Sequence, residues 1–552
     1  MQLHWIDRGG KRKQYGELAP GANRRQHTFA GHVWLAADVA GKGLAVFVAT
    51  KDDAVATITG LVPTPEEPKK EPKRDPRLSP DGRHRAFIRD HNVFLKEVAS
   101  GTETQLSQDG SEKDLYGGFH WSPDSQKLVV LQTQKGEKHP VHMVESSPKD
   151  QLQPRLHEIN YRKTGDRIAL RKPRLFDVAA KHQIPVADTL FPTPWSVGHF
   201  HWLPDSSQFL FLYNQRGHQV LRLLSIDAKT GRVRTVIDET SKTFVNYSNK
   251  TYLHYLDATG EAIWMSERDG WNHLYLVELA TGTVKNPITK GEWVVRSVAS
   301  VDEERRELLL KVMGTIPSQD PYYVHYARVK LDGTGFTLLT EGNGTHSIEW
   351  SPQEKYFIDT YSRVDLATVK ELRRASDGTL VRELTRGDLG ALRKTGWQPP
   401  EPFVAKGRDG TTDIHGVIFR PTTFDPSRKY PIIEAIYAGP HGQHVPKSFA
   451  EFRGQQALAE IGFVVVQIDG MGTNWRSKAF HDVCWQNLGD AGFPDRVAWL
   501  RAAATAYPYM DIRRVGIYGG SAGGQSAMRA LIAHPDVYSV AVADCGCHDN
   551  RM

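Results

Sequence analysis

A short turn motif recurs along the middle of this 552-residue chain and constrains its fold more than any other feature. Each copy reads Ser-Pro-Asp-Gly or a close variant and stands before a strand-like run; the prolines are Pro80, Pro123, Pro204 and Pro352. Their spacings of 43, 81 and 148 residues approach multiples of a unit of roughly 40–50 residues. Repeats of that length built only of strands predict a β-propeller, and residues 78–395 have room for seven or eight blades. A large β-sandwich is the alternative.

Beyond Pro399 the pattern changes to an alternation of strands and helices. Apolar runs predict strands at 430–437, 462–469, 514–518 and 538–543. Helical spacing appears at 449–460, from Asp495 onward, and at 522–533. Such an alternation is typical of a mostly parallel sheet covered by helices.

A glycine-rich segment in this second region carries the strongest chemical signal. Gly519-x-Ser521-x-Gly523 lies between a predicted strand and a predicted helix, which is the arrangement of a nucleophile elbow. Small neighbours let the chain bend sharply, so that the serine hydroxyl stands clear of the sheet and the Ala522 N–H points at a developing oxyanion. The alternative, a phosphate-binding loop, is disfavoured because neither Gly-Lys-Ser/Thr nor Gly-x-Gly-x-x-Gly is present.

Tyr437 ends the first buried strand of this region, in Tyr437-Ala-Gly-Pro-His-Gly. A tyrosine hydroxyl there is a candidate second donor to the oxyanion. The alternative is an ordinary half-buried tyrosine at a strand end.

Several motifs together resemble the prolyl oligopeptidase clan, and its dipeptidyl peptidase IV branch most. They are Tyr437-Ala-Gly-Pro, Asp469-Gly-Met-Gly-Thr, Asn487-Leu-Gly-Asp, Gly519-Gly-Ser-Ala-Gly-Gly and the propeller segment Ser266-Glu-Arg-Asp-Gly-Trp-Asn-His-Leu-Tyr. The resemblance covers about residues 78–552. It implies a serine peptidase with Ser521 as nucleophile, an oxyanion hole formed by the Tyr437 hydroxyl and the Ala522 N–H, and a propeller that admits short peptides.

Two departures from that branch concern substrate recognition. The branch carries a Glu-Glu pair that anchors the substrate's amino group, and residues 110–121 here contain no such pair. Its aromatic proline pocket corresponds here to Ala522, His548 and Arg551, which are the candidate substrate-binding positions. Removal of N-terminal dipeptides and a preference for proline are therefore both open.

The catalytic triad is the third departure. Chain order in this fold is Ser, Asp, His, with a further strand before each of the last two, or roughly 60–120 residues in all. Only 31 residues follow Ser521, and the candidates among them are Asp536, Asp544, Asp549, His534 and His548. None has the intervening strand that would return it to the serine. We therefore expect the triad Asp and His to lie beyond Met552, this chain to be inactive, and an extended form to hydrolyse peptides.

The N-terminal 58 residues resemble the von Hippel–Lindau β domain, a small β-sandwich-like module. The similarity lies in Tyr15-Gly-Glu-Leu-Ala-Pro-Gly and in Thr28-Phe-Ala-Gly-His-Val-Trp-Leu35. The family's hydroxyproline pocket falls on Tyr15, Thr28, His32 and Trp34. In such a pocket an aromatic wall packs the pyrrolidine ring, while hydroxyl and imidazole groups bind its hydroxyl. An aromatic core with no ligand is the equal alternative.

Composition narrows the remaining classes of function. The 70 basic and 64 acidic residues give no reason to expect a nucleic-acid partner, and no apolar run approaches the length of a membrane span. Three cysteines exclude a disulfide scaffold, and the 23 histidines lack metal-ligand spacing, so neither a metal nor a cofactor is expected. The oligomeric state is open. The compartment is open too: secreted or periplasmic if a signal precedes Met1, otherwise cytoplasmic.

Taken together, the sequence predicts four segments: a β module at 1–58, a proline- and charge-rich linker at 59–77, a propeller at 78–395 and an incomplete α/β-hydrolase domain at 396–552. The leading hypothesis is a serine peptidase that acts on short peptides. The alternative is a non-catalytic peptide-binding protein that uses the β module and the propeller.

Overall fold

The computed structural model describes residues 1–6, 11–19, 22–29, 31–39, 41, 43–49, 55–56, 58 and 75–550. These fall into two compact units, which divide between Asp75 and Pro76. Most of the predicted linker lies outside the described residues.

The first unit contains one antiparallel four-stranded sheet in the order β2-β1-β3-β4. The strands are β1 (Gln2–Ile6), β2 (Arg12–Glu17), β3 (Val33–Ala37) and β4 (Gly43–Val48). Strand β3 is the apolar centre of the sheet, since four of its five residues are buried. Strand β2 is polar, mostly exposed and at the sheet edge, and nothing in its pattern predicted a strand.

The second unit begins with the propeller sheets, all antiparallel. The first sheet contains β5 (His84–Arg89), β6 (Asn92–Glu97) and β7 (Glu103–Gln105). The second contains β8 (Asp114–Trp121), β9 (Lys127–Gln134), β12 (Leu170–Asp177) and β13 (His182–Ile184). The third contains β14 (Pro194–Trp202), β15 (Gln208–Gln215), β16 (Val220–Asp227) and β17 (Val233–Thr240). The fourth sheet contains β18 (Leu253–Leu256), β19 (Glu261–Ser266), β20 (His273–Glu278) and β21 (Val284–Pro287). The fifth contains β22 (Val294–Asp302), β23 (Glu307–Met313), β24 (Val324–Lys330) and β25 (Thr337–Leu338). The sixth contains β26 (Thr345–Trp350), β27 (Tyr356–Arg363), β28 (Leu366–Arg374) and β29 (Leu380–Arg386).

The described propeller therefore has six such sheets, fewer than the seven or eight blades expected. The difference arises because residues 135–169, about one blade's length of chain, do not form a blade. They lie in the chain between β9 and β12 and form a separate hairpin of β10 (Pro140–Glu145) and β11 (Arg155–Asn160). Apolar clusters lie between consecutive sheets, as between Val93 of the first and Val130 of the second. The propeller class itself is confirmed.

In the second, third and sixth sheets the repeated motif forms the turn between the first two strands, and its first copy directly precedes β5. Its last residue has positive φ in each copy, 74° at Gly82, 65° at Ser125, 62° at Ser206 and 51° at Glu354. The motif also joins neighbouring blades, because the Asp81 N–H donates to Ser125 Oγ (3.1 Å) and the Asp124 N–H to Ser206 Oγ (3.1 Å). Copies of the repeated motif are therefore joined by hydrogen bonds between neighbouring sheets.

The chain then forms a six-stranded mixed sheet in the order β30-β31-β33-β32-β34-β35, with the last four strands in that order parallel. The strands are β30 (Glu401–Lys406), β31 (Asp413–Phe419), β32 (Tyr430–Ala435), β33 (Val464–Asp469), β34 (Met510–Gly520) and β35 (Tyr538–Asp544). The helices are α1 (Gly390–Arg393), α2 (Gly454–Glu460), α3 (Lys478–Asp482), α4 (Phe493–Ala506) and α5 (Ala522–Ala533). This arrangement confirms the predicted α/β class.

Helix α2 is shorter than the predicted 449–460, because Arg453 has an extended backbone (φ −138°, ψ 150°) and the helix starts after it. The main core of the domain lies where α4 and α5 cover the sheet. Trp499 of α4 is fully buried there, and its indole N–H donates to the Phe403 carbonyl (3.1 Å). Truncating a buried tryptophan of this kind costs about 3–5 kcal/mol.

Candidate active site

Ser521 occupies a strained position between strand β34 and helix α5. Its backbone has φ 57° and ψ −120°, outside the regions that L-residues normally adopt. The turn is fixed because the Ser521 N–H donates to the Asp544 carbonyl (3.0 Å) and the Ser521 carbonyl accepts from the Gln525 N–H (3.1 Å). The Ser521 side chain is consequently exposed at the carboxyl end of the sheet, where open α/β sheets bind ligands.

The glycines around Ser521 are required by close backbone approach. A Cβ at position 519 would lie 2.3 Å from the Ile436 carbonyl oxygen, and one at 523 would lie 2.1 Å from the same atom. A Cβ at 524 would lie 2.2 Å from the Asp544 carbonyl oxygen. No side chain fits at these distances, so the elbow packs directly on the neighbouring strand ends.

Both predicted oxyanion donors lie beside this elbow. Ala522 is the first residue of the 12-residue helix α5, so its N–H belongs to the positive end of the helix. Tyr437 follows strand β32, and its Cα is only 3.3 Å from the position that a Cβ on Gly523 would take. Its ring packs near His441 (5.1 Å between centroids) and His444 (5.8 Å).

A buried carboxylate supports the loop after Tyr437. Asp469, at the end of strand β33, accepts hydrogen bonds from the His444 N–H (2.7 Å) and the Val445 N–H (3.0 Å). Burial raises the pKa of Asp469. Asp469 is the first residue of the motif Asp469-Gly-Met-Gly-Thr, but the pattern alone indicates no role for its carboxyl group.

A second buried network underlies strand β32 and was missed from the sequence. Glu434 accepts from Tyr538 Oη (2.7 Å) and from Arg496, and all three side chains are buried. The only available signal was a charged residue inside the apolar run Tyr430-Pro-Ile-Ile-Glu-Ala-Ile, which implies a buried partner without naming it.

Three of the triad candidates that follow Ser521 have other partners. His534 Nε2 lies 2.7 Å from Asp490 Oδ1, and Asp536 contacts Arg501 (3.3 Å). Asp544 Oδ2 accepts from the Cys545 thiol (3.5 Å), while His548 is exposed. Within residues 75–550, Ser521 Oγ makes no hydrogen bond to Asp549 or to any of these groups. Arg551 lies outside the described residues.

A cavity of about 760 Å³ opens between the propeller and the loop that follows Tyr437. The propeller side contributes His218 and a stretch from Phe244 to Ser248; the other side contributes Pro440, His441, residues 484–490, Arg529 and Asn550. Its walls mix polar side chains with the aromatic rings of Phe244, Tyr247 and Trp485, and His218 is stacked on Tyr247 (4.3 Å). Cavities of this volume accommodate small-molecule or short peptide ligands.

Family comparisons agree with this geometry. Residues 48–368, more than half of the chain, match the family model described as the dipeptidyl peptidase IV (DPP IV) N-terminal region. The chain belongs to the dipeptidyl peptidase IV family. Residues 449–552 match the prolyl oligopeptidase family, and residues 1–51 match the VHL beta domain. The predicted resemblance to the dipeptidyl peptidase IV branch is confirmed.

Individual relatives of this dipeptidyl peptidase IV family member share low sequence identity with it but align over most of its length. "Probable dipeptidyl-aminopeptidase B" of Tuber melanosporum is 27% identical over 86% of this chain and 56% of its own length. Human dipeptidyl peptidase 8 is 24% identical over 84% of this chain and 59% of its own. The chain thus spans less than two thirds of these relatives. The crystal structure of Porphyromonas gingivalis dipeptidyl peptidase 4 superposes with a TM-score of 0.65 at 25% identity, over 86% of this chain and 68% of that one.

The four predicted pocket residues of the N-terminal unit lie together. The Trp34 indole N–H donates to Thr28 Oγ1 (2.8 Å), and that oxygen is 3.4 Å from His32 Nδ1. The Tyr15 ring stands edge-on to Trp34 at 5.0 Å and is 47% exposed. An open aromatic corner with a hydroxyl and an imidazole is therefore present on this sheet.

The described residues contain no group of three or more His, Cys, Asp and Glu side chains arranged to hold a metal ion. Among the same residues, no helix is both long and apolar enough to cross a membrane.

Proposed function

We propose that the chain carries the nucleophile of a dipeptidyl peptidase IV-type serine peptidase, which acts on short peptides through an acyl-enzyme on Ser521. The observation that carries this proposal is the exposed, strained Ser521 at the start of α5, with glycines on both sides packed against Ile436 and Asp544. In the first step Ser521 Oγ attacks the scissile carbonyl, and its proton passes to a base and from there to the nitrogen of the leaving amine; water then hydrolyses the acyl-enzyme, which releases the acid and restores the serine hydroxyl.

The Tyr437 hydroxyl and the Ala522 N–H are the proposed donors to the oxyanion. Their support is the contact between the Tyr437 backbone and the elbow, together with the orientation of helix α5. Loss of one such donor typically slows acyl transfer by about 10²–10³-fold.

Among the described residues no base is hydrogen-bonded to Ser521 Oγ: His534 is bonded to Asp490, and His548 is exposed. Without a base a serine hydroxyl is a weak nucleophile. We therefore propose that residues 1–552 alone acylate slowly or not at all.

The cavity beside Pro440 and His441 is the proposed substrate entrance. The rings of Phe244, Tyr247 and Trp485 in its walls offer apolar surface to the side chains of a peptide, whereas Ala522 and the exposed His548 give no such enclosure for proline. Strict proline and dipeptidyl specificity are accordingly not part of this proposal.

The experiment is labelling of the chain with a fluorophosphonate, with and without added imidazole as an external base. We expect weak labelling alone, faster labelling with imidazole, and none in Ser521→Ala. Rapid labelling without imidazole would mean that a base is already present. No labelling under either condition would contradict the nucleophile assignment.

A second candidate function belongs to the N-terminal unit. The observation that favours it is the Trp34–Thr28–His32 contact chain beneath an exposed Tyr15 ring. We propose that this corner binds a hydroxyproline-containing peptide, with Tyr15 and Trp34 against the ring and Thr28 and His32 at its hydroxyl.

The test is calorimetric titration of the full chain with matched hydroxyproline and proline peptides. Binding of the first and not the second, lost in His32→Ala and retained in Ser521→Ala, would support the proposal. Equal affinity for the two peptides would contradict it.

A further inference from the structure

A buried histidine contacts the loop that carries Tyr437. His481, in helix α3, is 1% exposed, and its Nε2 lies 2.7 Å from the Pro440 carbonyl oxygen. A carbonyl only accepts hydrogen bonds, so Nε2 must carry the proton and donate it. Burial and the nearby Lys250 ammonium lower the pKa of His481 to about 3, so the imidazole is neutral and has a single tautomer at neutral pH.

The short helix that carries His481 is attached to the propeller. Thr243 Oγ1 donates to Asp482 Oδ2 (2.8 Å), the Lys478 ammonium donates to the Phe244 carbonyl (2.9 Å), and the Lys478 N–H donates to the Gly270 carbonyl (2.8 Å). The Phe244 ring stands edge-on to the His481 ring at 5.0 Å. The place of His481 therefore depends on residues of the propeller.

A second contact reaches the same loop from the propeller. Asn249 Nδ2 donates to the His441 carbonyl (3.3 Å), one residue beyond the carbonyl that His481 binds. Two consecutive carbonyl groups after Tyr437 thus accept hydrogen bonds. The His441 carbonyl binds the propeller directly, and the Pro440 carbonyl binds α3, which is itself attached to the propeller. Asp469 binds the other end of the loop, from the sheet.

We propose that His481 is a positioning residue that transmits the placement of the propeller to Tyr437. It acts through its hydrogen bond to Pro440, and the propeller segment Thr243–Phe244 acts through His481. The catalytic consequence rests on the proposed role of Tyr437 as an oxyanion donor. The positioning itself is a structural property and can be measured without turnover.

The experiment places 3-fluorotyrosine at position 437 of the full chain and records its ¹⁹F NMR resonance. His481→Leu removes the donor, whereas His481→Gln keeps an amide N–H that can reach the carbonyl. His325→Leu is the matched control, since His325 is also buried but bonds to Gln319 and Thr340 within the propeller. We expect a displaced or split resonance in His481→Leu, and the native resonance in His481→Gln and His325→Leu.

An unchanged resonance in folded His481→Leu, or an equal displacement in His481→Gln, would overturn the proposal. If His481→Leu does not fold, Thr243→Val decides, because it removes only the hydroxyl that donates to Asp482 and accepts from Lys478: a displaced resonance supports the proposal and an unchanged one overturns it. Failure of fluorophosphonate labelling would count against the peptidase function alone, because the fluorine signal requires no acylation.

Discussion

The two candidate sites differ in what builds them. The Ser521 elbow is made by backbone atoms in such close contact that three neighbouring positions admit no Cβ. The corner of Tyr15, Thr28, His32 and Trp34 is made by side chains on a small sheet, and its Tyr15 ring is half exposed. A site built by closely packed backbone atoms should be strongly destabilised when one methyl group is added. A side-chain-built site should respond instead to the loss of individual polar atoms.

Gly523→Ala tests the first half of this comparison most severely. Its Cβ would meet the Ile436 carbonyl at 2.1 Å, and neither backbone can yield without moving a central strand. We expect a loss of about 3 kcal/mol or more in the free energy of unfolding, measured by urea denaturation. Gly454→Ala is the control, because no described atom outside its own turn of α2 lies within 4 Å of the position of its Cβ. Equal stability of the two variants would show that the elbow is not backbone-built.

Lowering the pH tests whether the stability of the second unit depends on buried histidines that are neutral in the folded state. Burial lowers the pKa of His415 to about 4 and of His481 to about 3. A histidine with a lowered folded-state pKa contributes its full stability above its unfolded pKa of about 6.5 and loses it as the pH falls towards the folded value. We therefore expect the second unit to lose up to about 1.4 kcal/mol per pH unit for each histidine below pH 6.5.

Urea midpoints at several pH values between 7 and 5 measure this loss. The charged groups that face the two rings are Asp320, Asp413, Lys447 and Arg476 at His415, and Lys250, Lys478 and Asp482 at His481. The His415→Gln/His481→Gln double variant should lose stability less steeply as the pH falls, with a remaining slope from other histidines whose pKa burial lowers, such as His325 and His444, whereas the exposed His142→Gln should keep the native profile. A double variant with the native slope would contradict the prediction.

Ser521→Gly separates backbone strain from side-chain loss within the elbow. Glycine adopts φ 57° and ψ −120° without the clash that a Cβ causes, although it also makes the unfolded chain more flexible. We expect a net gain of about 1 kcal/mol in stability. Ser521→Ala keeps the Cβ and should show no gain, so equal midpoints for the two variants would argue against strain at this position.

The sequence anticipated the features that depend on local chain geometry. The turn motif predicted the blade turns, and the glycine pattern identified the elbow that the structure contains. Strand β2 was missed because an exposed edge strand needs no apolar alternation. The Glu434–Arg496–Tyr538 network and the contact of His481 with Pro440 were missed because their partners lie 41 to 104 residues apart. One sequence shows that a buried charge needs a partner but not which one it has.

Trp34→Phe tests the second half of the comparison, with the smallest expected effect. It removes the indole N–H that donates to Thr28 Oγ1 at 2.8 Å, and a hydrogen bond of this kind contributes about 1 kcal/mol. Trp5→Phe is a matched control on the adjacent strand, because no described residue accepts from the Trp5 indole N–H. Hydrogen exchange of the amides of β3, measured by mass spectrometry in the full chain, reports on this sheet alone.

Both substitutions shrink an indole to a phenyl ring; Trp5→Phe changes ring packing against His32 and Lys13 but no described hydrogen bond, and only Trp34→Phe leaves Thr28 without its donor. Faster exchange in Trp34→Phe than in Trp5→Phe would therefore measure the polar contact itself. Equal exchange would mean that packing alone holds the corner, and that the aromatic-core interpretation of these residues is the better one.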